Sequence, residues 1–120
     1  MAGNELKSFD SPDEVREFPL GRGEIVDIGG GQVSRMTLQP GWRWSTHVQP
    51  TAGTDLCQAP HFQYVVSGRI AVVTADGHQM EAGPGQVNVL EPGHDAWVVG
   101  DDPVVAIDWG GAHVWGKAAE

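Results

Sequence analysis

Two segments of this chain place a histidine beside a turn. One is HFQYVVSG, His61 to Gly68, and the other is GPGQVNVLEPGHDAWVVG, Gly83 to Gly100, which contains His94. Each is a short apolar strand pattern closed by glycine. The single cysteine, Cys57, lies four residues before His61 in a polar loop. Imidazoles and a thiolate that converge in space suit a tetrahedral zinc site, and such a set also accepts iron, nickel or copper. The chain has no CxxC pair and no tight His-x-His pair, so convergence depends on the fold. Cys57 has a structural reading of equal weight as a small buried hydrophobe. His94, in Pro92-Gly93-His94-Asp95, has one as a turn residue. His78 and His113 read as exposed.

The elements that must position these groups are strands. Asp76-Gly77 is a hairpin turn, and Gly29-Gly30-Gly31 joins strands at Glu24–Ile28 and Gln32–Leu38. A third strand is expected over Gly41–Val48, then a loop over Gln49–Pro60. Further strands are expected at Phe62–Val66, Arg69–Thr74, Gln79–Glu81, Gln86–Leu90, Ala96–Val99 and Val104–Trp109. Short strands at this spacing imply a sandwich or barrel. Ser11-Pro12-Asp13-Glu14 carries a helix-start signal, so a short N-terminal helix at most is expected before Pro19. The organisation expected is an N-terminal segment over 1–22, a barrel over 23–109 and a tail over 110–120.

With 120 residues the chain suits one core. Seven basic residues against 16 acidic ones give a formal charge of −9, which repels phosphate backbones and anionic lipid, so neither nucleic acid nor membrane is an expected partner. One cysteine allows no internal disulfide. With no basic and apolar leader pattern at the start, a cytoplasmic location is expected.

The strand pattern and its motifs resemble the cupin family, small all-β proteins with a double-stranded β-helix, or jelly-roll barrel. Gly41, five residues and His47 match the start of the first cupin motif. Gln49 stands where a second histidine is usual, and His61 stands where a glutamate is usual. Gly85, five residues, then Glu91, Pro92 and Gly93 match the start of the second motif. Ala96 and Gly100 stand in its histidine and asparagine positions. The segments THVQP, GTDLCQAPH, QYVVSGR and EPGHDAWVVGDDP resemble those of a group of small bacterial cupins.

The resemblance implies a divalent metal ion (zinc, iron, nickel or manganese) and a small-molecule ligand or substrate. With the usual positions vacated at Gln49 and Ala96, the ligand set expected is His47, Cys57, His61 and His94. Arg43, Gln49 and Gln63 are the expected substrate contacts. Read as strands, the chain turns His47, His61 and Gln63 inward with Val65 and Val98 behind them, and turns Trp42 and Trp44 the other way. Two functions stay open: a metal-dependent enzyme of isomerase, cyclase or oxygenase type, and a non-enzymatic binding or sensing module. A homodimer is a further expectation from the resemblance.

Overall fold

The computed structural model describes residues 3–110. Expectations for His113, Trp115 and the segment 111–120 lie outside the described residues. Among the described residues, nine antiparallel strands form two sheets. In chain order they are β1 (Glu14–Phe18), β2 (Gly21–Ile28), β3 (Gly31–Leu38), β4 (His61–Ser67), β5 (Ile70–Thr74), β6 (Gln79–Ala82), β7 (Val87–Leu90), β8 (His94–Val98) and β9 (Val104–Asp108). Two four-residue helices, α1 (Trp44–His47) and α2 (Gln49–Ala52), lie between β3 and β4. The larger sheet has the order β1-β2-β3-β9-β4-β7 and the smaller β6-β5-β8. Among the described residues this is an all-β jelly roll with short helices only. No helix among the described residues is long and apolar enough to cross a membrane.

Strand alternation sorts the side chains. On β4, His61, Gln63 and Val65 are buried while Phe62, Tyr64 and Val66 are exposed. On β9, Val104, Ala106 and Asp108 are buried. Cross-strand register then builds rows across the inner face. Met36, Ala106 and Val65 form an apolar row, and the next row holds Ser34, Asp108, Gln63 and Asn88. His61 and Leu90 follow. The interior is therefore hydrocarbon at one end, among Leu38, Val65, Val72 and Val104, and polar at the other.

Glycine punctuation fits the strand pattern. Gly29 and Gly30 both have positive φ, 62° and 78°, which is the backbone of a tight two-residue hairpin between β2 and β3. At Gly68 (φ 77°) the chain leaves the large sheet for the small one. A Cβ there would lie 2.3 Å from the Pro103 carbonyl oxygen, so only glycine fits the crossing.

Two expectations are corrected. The helix-start signal at Ser11-Pro12 opens no helix: the residues that follow form β1, an edge strand registered Glu14 to Ile25 against β2. Asp13, instead of serving a helical first turn, accepts the Asp27 N–H at 2.7 Å and a hydrogen bond from Lys7. Sheet structure thus begins before residue 23. The expected third strand at Gly41–Val48 is a turn and α1. Trp42 and Trp44 are both buried, and a carboxylate from β8 caps the helical turn: Asp95 Oδ1 accepts the Ser45 N–H at 3.0 Å. This tertiary cap satisfies an otherwise orphaned helix-start donor, and local alternation cannot reveal it.

Candidate metal centre

His61 opens β4 and His94 opens β8, one in each sheet. Cys57 belongs to the loop between α2 and β4, yet main-chain bonds fix it to the start of β8. Its N–H donates to the His94 carbonyl at 2.8 Å, and its own carbonyl accepts from Gly93 at 2.7 Å and His94 at 3.3 Å. The loop therefore behaves locally as an extra strand beside β8. All three residues are buried. One donor atom from each, two imidazole nitrogens and the Cys57 sulfur, lie within 4.8 Å of one another. The two rings meet edge to face, with centroids 5.3 Å apart.

Each imidazole is oriented from behind. His61 Nδ1 bonds Asp108 Oδ2. Asp108 is held in turn, because its Oδ1 accepts the Phe62 N–H at 3.1 Å and the Gly110 N–H at 2.9 Å. His94 Nδ1 donates to the Glu91 carbonyl oxygen at 2.8 Å. With both Nδ1 atoms engaged, both Nε2 atoms are left to the shared centre. A carboxylate or carbonyl behind a histidine is the usual means of fixing the tautomer and ring orientation of a metal ligand.

The charges respond to this packing. Burial pushes the Cys57 thiol up, but hydrogen bonds with His61 and His94 together outweigh it and lower its pKa to about 6. Burial also opposes a charge on His61, yet its bonds to Asp108 and Cys57 prevail and raise it to about 9. The cluster thus favours a thiolate paired with a protonated His61, so a metal bound there would take the thiolate as it stands and displace the His61 Nε2 proton. Asp108, His61 and Cys57 also match the order of orienter, base and nucleophile in thiol catalysis. His94, on the same sulfur, is a second imidazole that a triad does not use and that could serve as a third ligand of a metal site. Two imidazoles and a thiolate suit zinc and other borderline divalent ions, and three protein ligands leave a position open.

Of the four expected ligands, Cys57, His61 and His94 come together and His47 does not. The expected inward face of His47 assumed a strand, but His47 ends α1, and its Nδ1 accepts the Arg43 N–H at 3.0 Å. Trp42 and Trp44, expected on the opposite face, are buried, as is Val48. Among the expected substrate contacts, Gln63 is fully buried beside Asp108, and its Oε1 has no hydrogen-bond partner; Asn88 Oδ1, next to it in register, also has none. Arg43 is engaged elsewhere, 3.2 Å from Asp95 Oδ2 and stacked 4.4 Å over the Trp97 ring. Gln49 is half-buried at the start of α2.

Sequence reasoning missed Asp108. The signal was present, since Val104, Ala106 and Asp108 alternate on one strand and an inward carboxylate demands a partner.

Beside the centre, an open pocket of about 550 Å³ lies between the β5–β6 and β7–β8 turns. Its wall includes His94, with Met80, Val89 and Pro92 on its apolar side and Asp76 and Glu91 among its polar groups.

No family model matches the chain, and no curated protein does. Solved structures do match. A Rhizobium leguminosarum protein of unknown function superposes with a TM-score of 0.62 at 18% identity, over 92% of this chain and 97% of that one. The oxalate decarboxylase of Lactobacillus farciminis gives 0.57 at 18% identity, over 82% of this chain. This chain spans only 30% of that enzyme's length. KdgF from a Halomonas species gives 0.54 at 18% identity, over 78% of this chain and 82% of that one. At these identities the likeness shows the fold, a cupin-like barrel, and not the activity.

Proposed function

We propose that this protein is a metal-dependent cupin enzyme that binds a divalent ion through Cys57, His61 and His94 and acts on a small organic molecule. The observation that carries the reading is the convergence of three buried donors from two sheets and a loop, each imidazole already oriented through its Nδ1. A bound ion of this kind acts as a Lewis acid toward an oxygen of the substrate. The chain's own residues do the rest. Asp108 holds the His61 ring and its Nδ1 proton, and the Glu91 carbonyl does the same for His94. The pocket has His94 in its wall, and its volume falls in the range of ordinary ligand sites. Gln63 and Asn88 offer buried oxygens without partners, a requirement that a ligand N–H or O–H, or an ordered water, meets. Isomerisation, cyclisation and oxygenation all fit such a site, and the fold does not choose among them.

The experiment is elemental analysis of protein purified without an affinity tag. About one equivalent of a divalent metal per chain is expected, with marked loss in Cys57→Ser. A second reading, a non-enzymatic binding or sensing module, rests on the unpartnered Gln63 and Asn88 oxygens. It prevails if the protein neither carries nor retains metal but still binds small polar molecules.

A further inference from the structure

The inner face of the large sheet holds acceptor oxygens that receive no donor. Gln63 is 2% exposed and its Oε1 has no hydrogen-bond partner; the buried Oδ1 of Asn88 has none either. The two residues stand opposite each other in the register of β4 and β7, which places their side chains on one patch of the sheet. Gln63 is the next inward position after His61 on β4, and Asn88 lies two residues before Leu90, which lines the pocket with His94. Asp108, opposite Gln63 on β9, supplies no donor, since its Oδ2 bonds His61 and its Oδ1 accepts from Phe62 and Gly110. A buried acceptor without a donor is unfavourable, so this layer calls for a molecule that brings N–H or O–H groups.

Charge at the pocket points the same way. Its wall carries two exposed carboxylates, Asp76 and Glu91, and the imidazoles of His78 and His94. Among the described residues no Lys or Arg lines it. The described cations are engaged elsewhere: Lys7, Arg16, Arg22, Arg35, Arg43 and Arg69 each lie within 3.7 Å of a carboxylate oxygen, and none of those oxygens belongs to Asp76 or Glu91. The centre itself has no surplus positive charge to offer. A divalent ion there faces the Cys57 thiolate and, through His61, the Asp108 carboxylate, so two negative charges answer its two positive ones.

We infer that the substrate is a small aliphatic amine with a second donor group, such as a diamine or an amino alcohol. The inference rests on the reading of this centre as a substrate site and narrows it to one chemical class. The ammonium end pairs with Asp76 and Glu91, and the methylene chain lies against Met80, Val89 and Pro92. The second donor meets the Gln63 and Asn88 oxygens. Asn88 is about 7 Å along β7 from Leu90 in the pocket wall, a span that a short aliphatic chain covers. An ammonium group has three donors and no acceptor, which matches surroundings made of acceptors.

Other substrate classes fit less well. A dicarboxylate brings acceptors to Gln63 and Asn88, which already lack donors, and like charge to Asp76 and Glu91. A neutral diol satisfies the two oxygens but forgoes the attraction of the acidic wall and of a chain with a formal charge of −9.

Calorimetric titration of the full cobalt-loaded chain with 1,4-diaminobutane, butane-1,4-diol and succinate tests this, because the three probes share one carbon chain. The diamine should bind at one site with a millimolar Kd, as suits so small a molecule, and about tenfold more tightly than the diol, the modest gain that exposed ion pairs give. Succinate should give no measurable heat. Glu91→Lys, at an exposed position, should weaken the diamine about tenfold and leave the diol unchanged. Gln63→Met keeps the shape but removes the oxygen, and should weaken diamine and diol alike; Asn88→Ala serves if that variant fails to fold. Succinate binding as tightly as the diamine overturns the inference, and so does a chain that binds none of the three. Diamine binding indifferent to all these variants also overturns it, since the diamine then sits elsewhere on the acidic surface. Cobalt stoichiometry on the same samples separates the two readings. A chain that binds no cobalt defeats the metal centre, while diamine selectivity in that chain still upholds the ligand class.

Discussion

Cys57 and His94 are joined through their main chains before their side chains meet. The Cys57 N–H donates to the His94 carbonyl at 2.8 Å and the His94 N–H returns to the Cys57 carbonyl at 3.3 Å. The sulfur and the imidazole therefore stand side by side because of a local β-bridge, whether or not an ion is bound. His61 is brought to them by the apposition of the two sheets, and Asp108 sets its angle. Most of the order that a metal site requires is thus present in the polypeptide, which lowers the conformational cost of binding.

Asp108→Asn should weaken metal binding more than it weakens the fold. An asparagine oxygen can still accept the Phe62 and Gly110 N–H groups. Its amide nitrogen, however, would donate to His61 Nδ1 and move the ring proton to Nε2, the atom the metal needs. Loss of partners behind a ligand typically reduces metal affinity by about 10–100-fold. Competition with a chromophoric chelator measures this, and unchanged affinity would show that Asp108 serves only the strand ends.

The buried ion pair at Glu24 predicts acid sensitivity. A hydrogen bond from Arg35 holds its carboxyl below the usual 4.5, against burial and with help from Arg22. A group with a depressed folded pKa stabilises the protein fully above its unfolded value, and the contribution is lost as pH falls through the folded value. Glu24→Gln should therefore cost about 1 kcal/mol at neutral pH and much less near pH 3. Urea midpoints of both proteins at the two pH values check it; an equal deficit at both would exclude the ion pair as the cause.

Gly68→Ala should destabilise the barrel without touching the centre. The new methyl would enter the space of the Pro103 carbonyl, and φ is 77°. Left-handed strain of this kind costs about 1–3 kcal/mol, so Tm should fall by roughly 5–15 °C with metal stoichiometry retained in the folded protein. A Tm within a degree of wild type would mean that the crossing between sheets relaxes freely.

Much of this architecture is readable from residue order. Glycine turns and strand alternation locate the hairpins, and alternation alone turns His61 and Gln63 inward on β4. The segment around His47 was not readable, because the WRWSTH pattern alternates like a strand, whereas its helical turn depends on Asp95, some fifty residues away. Ser11-Pro12 misleads for a related reason: β2 offers an open edge, and pairing with it outweighs a local capping preference. The joining of Cys57 to His94 was legible only as a substitution of neighbours for lost ligands, since no local spacing reports a bridge between a loop and a distant strand.

The most direct test of the metal centre is titration of metal-free protein with cobalt(II), followed by absorption. The account predicts saturation at one ion per chain and a sulfur-to-cobalt charge-transfer band in the near ultraviolet. That band should be absent in Cys57→Ser, weakened in His61→Ala and His94→Ala, and unchanged in His47→Ala. Saturable binding without the sulfur band, or loss of binding in His47→Ala alone, would contradict a centre built from Cys57, His61 and His94.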